Sequence, residues 1–409
     1  MTYEVIIIGA GAAGLSAAQA LQAAGREVLV VEARNRVGGR IWTEHSQGPV
    51  EYGAEFIHGE YALTWEIVRA NRLAATAWAN DGRRFAIGSQ LLPADDPLLE
   101  RVYGLWEALH TYDGPDESVL VVLDHLIAPD DPARYFVLRW LANIEAGDAA
   151  RISAKELSRE RAQSTNGDTN FHLDAGYAQV PAALATDLNI RLATPVLRVA
   201  YDATGVTLNL ASGETLWANT ALITVPLGVL QAGSLAFDPP LPAEKRAAIG
   251  AIDMGHVTKL ALWFADAFWD PFVILSTNGP VASWWPVESA RVPTLMGYTG
   301  GPAALNLARL GEQSAIAAAL DSLCEIFGPR PRELLRGGRL VDWSIDPWSR
   351  GAYSYSPVGM GAARSVLAAP MPPLFFAGEA TCTGGDLATV HGAIGSGRRA
   401  AGEILKKYQ

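Results

Sequence analysis

Apolar residues in this chain gather into two kinds of run, short β-branched stretches and longer alanine- and leucine-rich ones, with glycines where one gives way to the other. Residues 3–8 form a compact β-branched run, which predicts a buried strand. Residues 13–24 are alanine-rich with helical spacing and close on Gly25, which predicts a helix with a glycine stop. A second apolar run, 27–31, ends on Glu32. Strand, glycine turn, helix and strand make a βαβ unit, whose parallel strands are covered on both faces and therefore almost wholly apolar. The uncharged stretch 5–25 is long enough to resemble a membrane span. Gly9, Gly11, Gly14, Gln19 and Gln22 interrupt it and no basic leader precedes it, so no span is expected.

Farther along, helical spacing predicts helices over 97–110, 132–145 and 154–163, separated by polar loops. Alternation predicts strands over 190–199, 205–210, 221–225 and 256–264. Tryptophan-rich loops are expected next, then an alanine-rich helix over about 312–327. The chain closes on strand 374–376, a turn from Gly378 and a helix. No repeat of solenoid period is present. The first and last segments read as parts of one nucleotide-binding domain that is discontinuous in sequence.

Composition narrows the classes. Apolar residues at 49% and charged ones at 18% exclude a disordered chain. The 43 acidic residues exceed the 32 basic ones, giving a formal charge of −11, which disfavours a nucleic-acid partner and suits a cationic small molecule. Two cysteines, Cys324 and Cys382, are too few for a disulfide framework or a zinc site, and no metal is expected. A cytoplasmic, membrane-free protein is expected.

The turn reads Gly9-Ala-Gly11-Ala-Ala13-Gly14, between a strand and a helix and followed by Glu32 at the end of the next strand. That context fits a dinucleotide fingerprint. Gly9 allows the tight turn, Gly11 lets backbone approach a pyrophosphate, Gly14 lets helix and strand close up, and Glu32 accepts from ribose hydroxyls. The run Glu32-Ala33-Arg34-Asn-Arg36-Val-Gly38-Gly39-Arg40 then suits a loop wrapped round phosphates with guanidinium clamps. A fingerprint extended in this way points to FAD rather than NAD.

Further motifs follow in order: Gly53-Ala54-Glu55-Phe56-Ile-His58-Gly59, Gly176-Tyr-Ala-Gln-Val-Pro181, Val225-Pro226-Leu-Gly-Val-Leu230, Lys259, Trp343, Gly351-Ala-Tyr353-Ser-Tyr355, Phe376-Ala-Gly378-Glu379 and Thr389-Val390-His391-Gly-Ala393. In this set and order the chain resembles the flavin-dependent amine oxidases, the family of polyamine oxidases, monoamine oxidases and lysine-specific histone demethylases. The resemblance implies an α/β amine oxidase fold. A Rossmann-like FAD-binding domain is expected over 1–77, 173–248 and 341–409, with a discontinuous α+β substrate-binding domain over 78–172 and 249–340. It implies oxidation of a C–N bond to an imine, with oxygen reduced to hydrogen peroxide. Alanine at 352, where monoamine oxidases carry a flavin-linking cysteine, implies noncovalent FAD.

By the same resemblance Lys259 is the catalytic residue, holding a water at the reactive flavin nitrogen; its place on an alternating strand among apolar neighbours makes it costly unless used. Ala13, Ala33, Arg34, Gly39, Arg40, Gly53, Ala54, Glu55, Phe56, Val196, Pro226, Trp343 and Trp348 are implied around the cofactor. Gly378 and Glu379 are expected at the ribityl chain, and Thr389 and Val390 at a helix start whose dipole favours negative charge on the flavin. Trp343, Trp348, Tyr353 and Tyr355 are expected to cluster. Tyr353 is implied as one wall of a substrate cage, with Thr389 facing it and His58 bonding a substrate nitrogen. Glu55 and Glu60 would favour an ammonium group over a carboxylate. Gly395-Ser-Gly397 lies in a helical pattern and is assigned to close packing, not to a second nucleotide site. A polyamine-type substrate is favoured; aromatic or short alkyl monoamines, a related desaturase or protoporphyrinogen oxidase-like activity, and a non-catalytic flavoprotein stay open.

Overall fold

The computed structural model describes residues 2–78 and 82–407; residues 1, 79–81, 408 and 409 lie outside it. The opening run forms strand Thr2–Ile8, helix Ala12–Ala23 and strand Val28–Val31, within a residue or two of the expected bounds. The two strands pair in parallel at the centre of an eight-stranded sheet. Strand Thr215–Ile223 is the hinge of that sheet. Along one edge it pairs in parallel with Thr2–Ile8. Along the other, its first half pairs antiparallel with Gly205–Leu210 and its second half pairs in parallel with Leu374–Phe376. The last strand of the chain thus lies in the same sheet as the first, and the C-terminal helix Val390–Lys407 packs on helix Ala12–Ala23.

A second sheet has seven strands, in the order Leu335–Asp342, Val257–Phe264, Thr294–Gly300, Ser283–Pro286, Ile274–Thr277, Arg83–Ile87 and Gln90–Leu91. Strand period decides what it does. Leu260, Leu262 and Phe264 face helices Gly301–Arg309 and Glu312–Phe327 and join one apolar cluster with Leu307, Ala315 and Leu323. Val257 and Ala261 point the other way, into a cluster with Tyr52, Trp285, Met296 and Trp343. Lys259, two residues from each, shares that second face.

Some expectations are corrected here. Residues 274–300 are not tryptophan-rich loops: three strands run through them, and the Ser-Trp-Trp-Pro stretch is one, too short to show alternation. The run 190–199 breaks into Ile190–Arg191 and Val196–Asp202, because Ala193 turns left-handed and Pro195 has no N–H for a ladder. Residues 221–223 finish the longer strand Thr215–Ile223. Helix Val119–Leu126, capped by the Ser118 hydroxyl, was not expected. Helices Pro97–His110, Pro132–Glu145, Ala154–Gln163 and Glu312–Phe327 fall as read, the first three each started by a capping Asp or Ser.

Candidate active site

Gly9 adopts φ +116°, a conformation that favours glycine, and turns the chain from the first strand into the first helix. A Cβ on Gly14 would stand 2.0 Å from the Gly9 carbonyl oxygen, so helix and turn touch only because residue 14 is glycine. At Gly11 an added Cβ would meet nothing within 4 Å, and no side chain caps the helix that begins there. Open space before uncapped N–H groups suits a phosphate. Gly39 stands beside Gly11, and Ala13 is buried in the first turn of the helix. The Glu32 carboxylate is pinned at the strand end by the backbone N–H groups of Ala10 and Arg34, each at 2.8 Å, and keeps lone pairs for ribose hydroxyls.

The arginines of the loop do less clamping than expected. Arg34 bonds Asp346 at 2.5 Å and Ser349 at 2.9 Å, fastening the loop, with Ala33 half-buried at its start, to the segment that carries Trp348. Arg36 gives its N–H groups to the carbonyls of Val37, Gly39 and Ile41. Carboxylates and carbonyls already within reach satisfy these guanidinium groups. Arg40 differs: it bonds the Ala352 carbonyl and Glu379, and it also lines a cleft with Thr224, Val225, Pro226, Phe376, Gly378 and Glu379. Gly53 and Ala54 follow the same loop, the Ala54 N–H donating to the Arg40 carbonyl at 3.0 Å. Burial alone would raise the Glu379 carboxyl, but Arg40 and Arg364 beside it hold it below the ordinary range. Turn, anchored carboxylate and cleft fit a dinucleotide cofactor. The Val196 side chain packs in the apolar cluster of Ile8 and Val31.

Lys259 is 4% exposed. Its Nζ donates to Glu55 Oε2 at 2.6 Å and to the Glu51 carbonyl at 2.9 Å, and it lies 5.8 Å from the Trp285 ring centroid. Glu55 Oε1 accepts from Trp285 Nε1 at 2.9 Å. The expectation of a Glu55 carboxylate free for a substrate ammonium is therefore revised, since its charge is already paired with the buried Lys259 ammonium.

Across the sheet Lys259 is in register with Tyr298, whose hydroxyl meets that of Tyr353 at 2.9 Å. Tyr353 also donates to the Ile144 carbonyl at 2.7 Å. Burial pushes both phenols above their ordinary value, so they stay neutral. Ring contacts continue from Tyr298 to Trp285, Phe56 and His58, with Trp78 stacked on Phe56 at 4.1 Å and His172 at 4.5 Å from it. His58 Nδ1 lies 2.8 Å from the Asn170 side-chain oxygen and takes the proton there, leaving Nε2 as an acceptor. The groups packed around it lower the His58 pKa from its ordinary value, while the residue itself stays exposed. One connected wall thus has Lys259, Tyr298 and Tyr353 at one end and His58 at the other, reached through Trp285 and Phe56.

The expected four-ring cluster does not form as such. Trp343 packs edge-on to Trp42 and bonds the Tyr52 carbonyl, while Tyr355 belongs to the helical cluster of Phe85 and Phe136. Thr389 spends its hydroxyl on the helix start, accepting from Gly392 N–H at 3.0 Å and donating to the Asp386 carbonyl, with Val390 as the first helical residue. Glu60 accepts from the Thr169 N–H at the surface of its loop. Sequence reading missed Tyr298, Trp285, Asn170, His172 and two acids, Glu145 and Glu160. Burial raises Glu145 to about 7, and burial with the Glu145 charge raises Glu160 to about 8. Glu145 directly follows the Ile144 carbonyl that Tyr353 bonds. Among the described residues no group of His, Cys, Asp or Glu is arranged to hold a metal, and no helix is long and apolar enough to cross a membrane.

The family described as flavin containing amine oxidoreductase matches residues 12–405. Polyamine oxidase 4 of Oryza sativa subsp. japonica is 31% identical over 446 residues, covering 99% of this chain and 89% of the relative. Cyclohexylamine oxidase from Brevibacterium oxydans IH-35A superposes with a TM-score of 0.84 at 25% identity, covering 99% of each chain. A putrescine oxidase solved with putrescine bound gives 0.85 at 21% identity, also over 99% of each chain, which is a likeness of fold.

Proposed function

The chain belongs to the flavin-containing amine oxidoreductase family, an FAD-dependent amine oxidase by that membership, and from that premise we propose that its amine is a diamine or polyamine. The reacting nitrogen would lie at the wall of Lys259, Tyr298, Tyr353 and His58, and a second ammonium at Glu145 and Glu160. One observation carries this reading: Glu145 follows the residue that Tyr353 bonds, Glu145 and Glu160 lie close enough for their charges to act on each other, and burial raises their carboxyls to about 7 and about 8 in spite of the Arg364 guanidinium that acts on both. A ligand ammonium would let them ionise. The names of the relatives support the same class.

When bound, the flavin supplies the two-electron acceptor for hydride from the carbon beside the nitrogen. The protein must deliver the amine uncharged, because the nitrogen lone pair assists hydride departure. Aromatic walls disfavour the ammonium form by desolvation. His58 Nε2, with its ring held by Asn170, is placed to accept the N–H of the incoming amine. The neutral hydroxyls of Tyr298 and Tyr353 do not serve as bases; Tyr353 gives its one O–H to the Ile144 carbonyl and Tyr298 gives its own to Tyr353, so the pair fixes the rings that face the nitrogen. Lys259 would hold a water for proton movement at the flavin and for imine hydrolysis. Noncovalent attachment, supported by Ala352, belongs to the same proposal, as do oxygen as final acceptor with hydrogen peroxide as product and a cytoplasmic setting. So does the two-domain division with its boundaries, supported by the two sheets.

Anaerobic bleaching of the flavin across an amine panel tests the reading. Spermine, spermidine or putrescine should reduce it at lower concentration than monoamines of similar size. Bleaching by aromatic monoamines alone would overturn the polyamine assignment.

A further inference from the structure

The ion pair under the aromatic wall has a geometry that a docking site for substrate does not need. We infer that Glu55 is a positioning residue for Lys259, fixing the direction in which the ammonium presents its remaining N–H; the inference rests on the amine-oxidation reading above.

An ammonium has three donors. Two of those on Lys259 are committed, to Glu55 Oε2 at 2.6 Å and to the Glu51 carbonyl at 2.9 Å. Tetrahedral geometry then confines the third to one direction. The anchor is itself anchored, since Trp285 Nε1 holds the other oxygen of Glu55 at 2.9 Å. Lysine and indole stand on separate strands of one sheet, Val257–Phe264 and Ser283–Pro286, and the carboxylate comes from the loop before Ile57–His58. The pair is buried, Lys259 at 4% and Glu55 at 8% exposure. For Glu55 to turn to a substrate ammonium it would have to abandon Lys259 and leave that charge uncompensated in the interior. Beside the Trp285 contact, His172 Nδ1 lies 3.9 Å from Glu55 Oε1, on an imidazole whose pKa burial lowers. A cationic substrate therefore meets a carboxylate that is already paired. Glu55 acts through Lys259.

A double-mutant cycle on the FAD-loaded enzyme tests this: Glu55→Gln, Lys259→Met and the two combined. One readout uses no substrate, the visible absorption spectrum of the bound flavin, which responds to charge near the ring. The other is the limiting rate and apparent Kd of anaerobic flavin reduction by the best amine of the panel. Glu55→Gln should shift the spectrum and slow the limiting rate by about 10-fold or more, with apparent Kd changed less than about 3-fold. In the Lys259→Met background the same substitution should add less than about 2-fold in rate and no further spectral shift. Multiplying rate effects would overturn the inference, and so would a 10-fold rise in Kd at unchanged limiting rate in both backgrounds. If Glu55→Gln fails to retain FAD, Glu55→Asp, which keeps the charge, takes its place and should keep most of the rate. Flavin that no amine reduces would sink the proposed function instead, and the spectral arm would still decide the part played by Glu55.

Discussion

A methyl group built on Gly397 would stand 2.1 Å from the carbonyl oxygen of Ala13. The two residues belong to the last and first helices of the chain, and backbone contact between them brings the cofactor turn and the closing segment into one unit. Gly397→Val should lower stability by about 3 kcal/mol or more through overpacking against backbone that cannot yield. Because Ala13 lies in the first turn of the helix that faces the phosphate position, bound flavin should fall as well. The ratio of visible flavin absorbance to protein absorbance, beside the melting temperature, checks both. Gly402→Ala is the control, since a Cβ there meets nothing within 4 Å and the helix should gain slightly.

Removing only one member of the pair Lys259–Glu55 strands the other. Lys259→Met should cost about 3–5 kcal/mol, because the Glu55 carboxylate stays buried without its counter-charge. Adding Glu55→Gln to the same protein should recover most of that loss. Urea denaturation of the three variants reads the effect directly; equal stability of single and double variants would contradict it.

Glu51 carries a pH signature. Burial, with the charge of Glu55 nearby, raises its carboxyl from 4.5 to about 7. The folded protein then holds a proton that the unfolded chain has already released, so this group's stabilisation is complete below about pH 4 and lost as pH rises through about 7. Glu51→Gln should flatten that part of the profile, gaining on the order of 2 kcal/mol relative to wild type between pH 5 and pH 8. Melting temperatures of both proteins across that range give the answer; parallel curves would refute the assignment.

For Glu145 and Glu160 the expectation concerns affinity. Glu160→Gln should raise KM for a polyamine about 10-fold, with kcat nearly unchanged and KM for a monoamine unmoved. In the wild type, KM for the polyamine should climb as pH falls through about 8 to 7, where the two carboxyls take up protons. That rise should exceed the one shown by a monoamine, which shares only the protonation of the amine itself.

The C-terminal glycines show how far reading alone could go. Gly395-Ser-Gly397 sits in a helical pattern with no strand before it, and that was enough to assign it to packing; only the fold could name Ala13 as what it packs against. Tyr298 and Trp285 went unnoticed for a different reason. Trp285 sits in a strand of four residues, Ser-Trp-Trp-Pro, with no period that distinguishes strand from loop, and the seven-residue strand of Tyr298 is broken up by Gly297 and Gly300. Asn170, which sets the tautomer of His58, is an ordinary polar residue until strand pairing puts it opposite.

What the chain dictates by itself is local: the βαβ opening, the capped helices, the glycine spacing of the nucleotide turn, and the alternation that gives Lys259 a face. Each rests on backbone preferences and on contacts between near neighbours. The partners of that lysine were decided by the tertiary structure. Glu55 lies 204 residues before Lys259, and 230 separate Glu55 from Trp285. No local preference can encode such a pairing; it arises when the loop before Ile57–His58 is brought against one face of the seven-stranded sheet and a buried charge must find its opposite.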